Sequence, residues 1–418
     1  MKLLTFVLTA LVALASCAIG ATIAAASERP LPKKVDLRPR FAKFGLAPLS
    51  QGSRDTCSLF AVTGVAEYER AKDVSGPAPR LSEEFLVWAA NDATGLNGDQ
   101  AMFIEAVQGL TRLGICDESS MPYADKTDPD RAPSDAARAE ARRNGHWTAH
   151  WIKRWNVKTG LSAAELNAVK SALANDHPVA IGMRWPKQPQ LTTTFIQDPP
   201  PKEEVRDGHS VVLAGYRDDP NFQGGGVFIV RNSDGPGWGQ EGYAYFPYTY
   251  ITDYGNDAVW LKHDPADADS PRFQPAARFE AESLKILKTS ARCQPAVQPM
   301  TDWGAKQWGD GKQLFCKAEN GGALELEFTL PDAGRFEIEL FVTLAPDFGK
   351  LKLLLDGRVL TQQPDCFCGR VEPSGPISLG THDLKAGAHK LGIAVTGKNA
   401  LSSSHSFGID AFELHPRR

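Results

Sequence analysis

The stretch Gln51-Gly-Ser-Arg-Asp-Thr-Cys57-Ser-Leu-Phe-Ala61, continuing to about Lys72, decides how this chain reads. Six residues of loop character, several with turn chemistry, lead to one cysteine. Behind it Leu59, Phe60, Val62, Val65, Ala66 and Tyr68 recur with helical period. The pattern predicts a buried helix with Cys57 in its first turn. Unpaired backbone N–H groups and the positive end of the helix dipole favour thiolate over thiol there. Gln51 lies upstream in the loop, within reach of turning its carboxamide back toward the sulfur. A thiolate beside two N–H donors, the Gln51 side chain and the Cys57 amide, is the equipment of acyl transfer: a nucleophile and an oxyanion hole.

A thiolate also needs a base. Among the nine histidines, His209 stands in Asp207-Gly-His-Ser-Val-Val-Leu-Ala-Gly-Tyr216, at the head of an apolar strand. That position fixes the ring against a core while leaving it at the strand's mouth. Farther on, Val230-Arg-Asn-Ser-Asp-Gly-Pro-Gly-Trp-Gly-Gln-Glu-Gly-Tyr243 places Asn232 just after a strand and before a Gly-rich turn. An asparagine oxygen accepting from one imidazole nitrogen would orient the ring while the other nitrogen faces sulfur.

Together these blocks resemble the papain-like cysteine peptidases, whose pattern is a Gln-Gly loop, a helical nucleophilic Cys, then a His and an Asn-Ser-Trp-Gly block. The match runs in order over most of Leu31–Lys262, with Val35-Asp-Leu-Arg38, Leu81-Ser-Glu-Glu84, Gly95-Leu-Asn-Gly98 and Gly114-Ile-Cys-Asp-Glu-Ser-Ser-Met-Pro-Tyr123 as lesser landmarks. The resemblance implies a two-lobed α+β fold with its cleft between the lobes. It assigns Gln51 as oxyanion donor, Cys57 as nucleophile, His209 as general acid/base and Asn232 as its orienter. The departures are as specific. Ser58 stands where the family usually has Trp, and Asp234 replaces the Trp that shields the His–Asn hydrogen bond, so a wetter ion pair is expected. Arg54 and Leu96 occupy two positions that are disulfide-bonded cysteines in papain itself. Asp99 falls where a glycine normally approaches the substrate backbone, which implies different non-primed subsites.

The chain has 418 residues and a formal charge of −4. Two domains are the default for that length. With no basic stripe interleaved with aromatics, nucleic acid is not a partner. Met1-Lys2, the apolar run Leu3–Ala26 and the polar Ser27-Glu28-Arg29-Pro30 form an export signal over residues 1–26. Two processing readings stand side by side: cleavage after Ala24-Ala25-Ala26, or a lipobox Leu14-Ala15-Ser16-Cys17 that would lipidate Cys17 and give the only membrane contact. Either places the folded part outside the cytoplasm, periplasmic or secreted. Only Ser27 to Lys34 then separates the signal from the catalytic domain, which leaves no room for a long inhibitory prosegment. Arg184–Arg206, rich in proline, is a candidate lid.

Helix signals at Leu81–Ala90 (capped by Ser82), Asp99–Leu113 and from Leu161-Ser162 to near Asp176 precede strand signals at Pro178–Met183, Ser210–Tyr216, Gly226–Arg231 and Gly242–Pro247. That order points to α+β over residues 31–262. Residues 263–275 read as a linker by composition. Residues 276–418 then change character: Ala323–Leu330, Gly334–Leu344, Leu351–Leu355, His389–Thr396 and Phe407–Leu414 alternate as strands, giving an all-β sandwich of about 140 residues. Its turn and core motifs are similar to galactose-binding-like jelly rolls of the carbohydrate-binding-module kind, which implies a cell-surface glycan as a partner. Trp303, Trp308, Phe348 and Phe367 are the aromatics available for stacking on a sugar. Cys293, Cys316, Cys366 and Cys368 are expected to form two disulfides, with three pairings open. Cys116 reads as a small buried hydrophobe. No cofactor is called for, and Cys366-x-Cys368 lacks a nearby histidine for zinc.

The function expected is an exported cysteine peptidase acting on polypeptides through a Cys57 acyl-enzyme. Two alternatives stand on the same residues: an inactive papain-fold binding protein working through its sandwich with a glycan or protein partner, and an acyltransferase or amidase on a non-protein substrate.

Overall fold

Cys57 opens a helix because Thr56 breaks from helical geometry just before it and every residue from Leu59 to Glu69 is buried. The computed structural model describes residues 30–188, 191, 195–265 and 275–417. The export signal, Cys17 and most of the stretch read as a linker lie outside the described residues. The N-terminal part begins with β1 (Lys34–Asp36) and α1 (Arg38–Lys43), then α2 (Cys57–Ala71). Leu59, Val62, Val65, Ala66 and Tyr68 of α2 are fully buried, and each large side chain of that set contributes about 1.5–3 kcal/mol by leaving water. Helix α3 (Glu83–Thr94) starts where expected, with Ser82 Oγ accepting from the Phe85 N–H, and stops at Gly95 in the left-handed region. Helix α4 (Phe103–Leu113) begins later than its periodicity suggested, after an extended Met102. Its Gly109 lets the two helices approach: a Cβ there would lie 2.5 Å from the Ala90 backbone nitrogen. Next come α5 (Asp135–Arg143) and α6 (Ala163–Ala174), the latter opened by a capping box of Ser162 and Glu165.

The second lobe is an antiparallel sheet of β2 (His146–Lys153), β3 (Val179–Pro186), β4 (Val205–Asp218), β5 (Gly226–Arg231), β6 (Tyr243–Pro247) and β7 (Gly255–Asp264), with α7 (Tyr248–Tyr254) against it. The strand order is β2-β7-β3-β4-β5-β6, and β1 pairs with β4. One hydrophobic core runs through both lobes, from Phe41 and Leu59 to Val212 and Tyr250. The described portions of Arg184–Arg206 are tied down rather than raised as a lid: the Gln197 N–H donates to the Tyr245 carbonyl and Lys187 N–H to that of Glu204, each over 2.9 Å or less.

The C-terminal part is a β-sandwich with its own core. Its strands are β8 (Ala277–Glu280), β9 (Lys285–Thr289), β10 (Cys293–Pro299), β11 (Lys312–Ala318), β12 (Ala323–Leu330), β13 (Gly334–Leu344), β14 (Gly349–Leu355), β15 (Arg358–Val359), β16 (Glu372–Pro373), β17 (Ile377–Leu384), β18 (Gly387–Lys398) and β19 (Phe407–Pro416). One sheet runs β10-β11-β19-β13-β16, with β8 on β19 and β17 on β13; the other runs β15-β14-β18-β12-β9. Alternation decides the faces: Leu324, Leu326, Phe328 and Leu330 of β12 point into the core and Glu325 and Glu327 outward.

The disulfide expectation is corrected. One bridge forms, Cys293–Cys316, joining β10 to β11, while Cys366 and Cys368 are free and buried. Both free thiols have other places to be: Cys366 lies within the sandwich core, and Cys368 Sγ donates to the Trp155 carbonyl of the N-terminal part at 3.6 Å.

The two parts meet across a polar seam within one unit spanning Pro32–Arg418. Arg370 donates to Glu105 at 3.0 Å and to the Met102 sulfur at 3.0 Å. Arg154 returns the contact by donating to the Ser374 carbonyl at 2.5 Å. Met102 and Trp155, two residues held by this seam, also line the cleft between the lobes.

Candidate active site

Cys57 and His209 come from different lobes, and the fold brings them together. Cys57 is the first residue of α2, half-buried in a cleft that encloses a cavity of 680 Å³. His209 lies within β4, opposite Met183 of β3. The strand begins at Val205 rather than at His209, so the histidine is held by sheet on both sides of its position. Its Nε2 pairs with Asn232 Oδ1 at 2.7 Å, which leaves Nδ1 as the nitrogen that faces sulfur. Burial pushes the Cys57 thiol up, but hydrogen bonding and charge from His209, followed by the Ser210 amide and hydroxyl, outweigh it and hold the thiol below its ordinary range.

Gln51 lines the same cleft. Its carboxamide is locked from both ends: Oε1 accepts from Ser233 Oγ at 2.6 Å and Nε2 donates one hydrogen to the Arg54 carbonyl at 2.7 Å. The amide's second hydrogen is taken up by neither contact.

The departures acquire structural roles. Asp234 does not leave the His–Asn pair wet. His209 is 9% exposed and Asn232 3%, because Trp185 of β3 stands edge-on to the imidazole with ring centres 4.4 Å apart. Asp234 itself accepts from Asn232 Nδ2 at 2.6 Å, so a carboxylate fixes the amide that fixes the imidazole. Ser58 Oγ shares a hydrogen bond of 3.0 Å with Ser210 Oγ. Arg54, in place of a bridged cysteine, is buried and donates to Glu84 at 2.6 Å and to Asp99 at 2.7 Å. Leu96, the other such position, is exposed on the surface. Cys116 is fully buried, with its thiol pushed up to about 12 by burial and then by Glu140.

Trp185, Ser210, Ser233 and Asp257 were not singled out by the sequence. Ser210 was findable as the neighbour of His209; the others depend on register across the sheet. Asp257 sits on β7 opposite Gly182. It lines the cleft floor, and burial, with Glu372 next, raises its carboxyl to about 7.

Comparison with known proteins follows the same outline. Residues 31–255 match the family model described as papain family cysteine protease. A cathepsin L-like proteinase of Fasciola hepatica is 26% identical over 224 residues, which are 52% of this chain and 61% of that protein. The chain thus spans about three fifths of the length of that relative. An uncharacterized peptidase C1-like protein of Acanthamoeba polyphaga mimivirus is 22% identical over 238 residues, 55% of this chain and 74% of that one. Among solved structures, the cysteine protease and lectin-like domains of Cwp84, a surface layer associated protein of Clostridium difficile, superpose with a TM-score of 0.52 at 15% identity, covering 93% of this chain and 91% of theirs. That likeness is one of fold, and it extends over both parts of the chain.

Proposed function

This chain belongs to the papain family of cysteine proteases, and from that premise we propose that it hydrolyses peptide bonds through an acyl-enzyme on Cys57. The single observation that carries the reading is the Cys57 thiol held below its ordinary range by His209, whose far nitrogen is pinned by Asn232. In the forward step the thiolate adds to the scissile carbonyl, and the oxyanion takes hydrogen bonds from the Cys57 N–H and the Gln51 amide. The His209 imidazolium protonates the leaving amine as the C–N bond breaks. A water, deprotonated by the same imidazole, then adds to the thioester and releases the acid and the thiolate. Asn232 holds the ring through both half-reactions, and Asp234 holds Asn232.

The protein works outside the cytoplasm in this reading. The apolar N-terminal run supports export, and the fold shared with a surface-associated protease agrees with it. The sandwich would bring the protease to a surface glycan, as its likeness to a lectin-like domain suggests, and Cys17 would add a lipid tether where the lipobox is used. We read the domains as 31–262 and 276–418, a division that the two separate cores support.

Titration with an epoxysuccinyl thiol inhibitor tests the central claim. One equivalent should attach at Cys57, none to Cys57→Ala, and His209→Ala should react far more slowly. A Cys57 no faster than free cysteine at neutral pH would remove the peptidase reading.

A further inference from the structure

The outer face of the sheet carrying β13 and β19 does not lie flat against the N-terminal part. Between it and α4 is a second cavity, of 410 Å³, walled by Gln108 and Thr111 from the helix and by Arg278, Trp308, Phe341 and Glu413 from the sandwich. That volume is within the range of small-molecule sites, and the junction of two domains is a common place for one.

Gln108 is the telling residue. It is 6% exposed, and neither its amide oxygen nor its amide nitrogen has a hydrogen-bond partner. A buried amide left unbonded costs stability, and native proteins rarely keep one without a use for it. His415, which also lines the cavity, is different: its Nε2 is held by the carboxylates of Glu339 and Glu413 at 3.3 Å and 3.2 Å.

The wall chemistry narrows the occupant. Arg278 grips Glu280 at 2.6 Å and Glu413 at 2.7 Å, with Asp410 at 3.5 Å. The charges of β8 and β19 on this wall therefore already face their opposites, and a charged ligand seated against these strands would have to break a pair. A neutral one would not. Lys306, which also lines the cavity, adds an ammonium donor with no ion pair among the described residues. Paired carboxylates keep lone pairs, the guanidinium keeps spare N–H groups, and the Gln108 amide offers both a donor and an acceptor. Beside them stands the half-buried Phe341, with the Arg278 guanidinium 5.3 Å over it. Trp308 also borders the cavity, but it is only 4% exposed and its N–H is bonded to Thr343 at 2.8 Å, so it offers an apolar edge and not an open ring for stacking. Hydroxyl groups match the polar set, and the C–H groups of a pyranose match this apolar border.

We propose that this seam cavity binds a neutral sugar of one or two rings, either the end of a glycan or a free saccharide. The inference rests on the reading that the sandwich takes glycan, and it gives that reading a location. Calorimetric and fluorescence titration of the full chain with galactose, N-acetylglucosamine, cellobiose and N,N′-diacetylchitobiose tests it. At least one should bind one-to-one. Gln108→Met should weaken that binding at least ten-fold without lowering Tm, since the unbonded amide is gone. Thr111→Trp, which fills the cavity from the accessible side of α4, should do the same should the first variant fold poorly. Release of the bound sugar by polysaccharide ends carrying the same ring would identify a glycan terminus as the source; release by soluble sugar alone would identify a free one. Either release supports the cavity. Undiminished binding to both variants would overturn this site while leaving the glycan reading intact. Binding of none of the four would remove both. Epoxysuccinyl titration of Cys57 should be the same in all three proteins, which keeps the peptidase reading separate from either failure.

Discussion

Asp234 changes how the catalytic histidine is held. Its carboxylate takes the Asn232 amide at 2.6 Å while Asn232 Oδ1 holds His209 at 2.7 Å, so three side chains form one chain of orientation. Asp234→Ala should lower kcat by roughly ten-fold with little change in KM, because misplacement of the base costs rate rather than binding; steady-state kinetics on a peptide substrate reads this directly. The thiol offers a second check. A pKa held below the ordinary thiol value means that thiolate persists at pH values where free cysteine is protonated. Alkylation of Cys57 by iodoacetamide should therefore remain faster than that of free cysteine on the acid side of the ordinary thiol range. With His209→Ala the rate there should fall by about ten-fold or more and the profile should shift to higher pH. Cys57, His209, Asn232 and Gln51 were legible in sequence because each stands in a short block whose local chemistry is readable. Trp185 and Ser233 were not, since their roles exist only through pairing between strands far apart in the chain.

Among the elements, the loop before α2 depends on Arg54. One buried guanidinium ties that loop to Glu84 of α3, to Asp99 and, at 2.8 Å, to the Ala124 carbonyl. This is a polar substitute for a covalent staple. Arg54→Ala would strand two buried carboxylates and should destabilise the protein by about 3–5 kcal/mol, measurable by urea unfolding. Replacing Glu84 and Asp99 together with their amides should restore part of the loss. The pH sign follows from Asp99: burial raises its carboxyl, but hydrogen bonds from Arg54 and Thr127 hold it below its ordinary 3.8. Its contribution is thus present above about pH 4 and lost as pH falls further, and Arg54→Ala should flatten stability against pH in that acid range. Helices with a cap in the sequence, at Ser82 and Ser162, and strands of strict alternation, such as Ala323–Leu330, could be read without a structure. Strands β2, β10 and β11 could not: His146–Lys153 is half-buried with little alternation, and Cys293–Pro299 is mostly exposed and contains two prolines. The start of β4 was hidden for a related reason, because Arg206-Asp-Gly-His209 is polar and its strand geometry comes from β3.

At the scale of the whole molecule, the sandwich is part of the cleft's support. Arg370 reaches from it to Glu105 and Met102, and Cys368 to Trp155, while Met102 and Trp155 both line the cleft. Arg370→Ala should raise KM several-fold with little effect on thiol titration, and should separate a single thermal transition into two in calorimetry. The pH dependence of the whole fold carries a second signature. Desolvation lowers the His415 imidazole, but Glu339 and then Glu413 raise it to about 9 from 6.5. Its stabilising charge is therefore complete below about pH 6.5 and lost as pH rises toward 9. His415→Gln should be less stable than the parent at pH 6 and approach it above pH 9, as read by Tm. Two domains were visible in the sequence as a change from mixed to purely alternating patterns; their seam was not, since Arg370 and Arg154 look like any surface arginine until the partner surface is present.

The single bridge between β10 and β11 has a further meaning when set beside Cys57. The loop it closes spans 23 residues, and a cross-link of that length is worth about 3 kcal/mol to the sandwich. The same chain thus needs one sulfur pair oxidised and one sulfur reduced at once. Burial separates the two demands: Cys293 is 3% exposed and Cys316 fully covered, whereas Cys57 opens to the cleft as a ready thiolate. Mild reductants will reach the nucleophile long before the staple, and mild oxidants will silence the enzyme without unfolding it. The working environment of this protein is therefore bounded on both sides, by electron supply as much as by acidity.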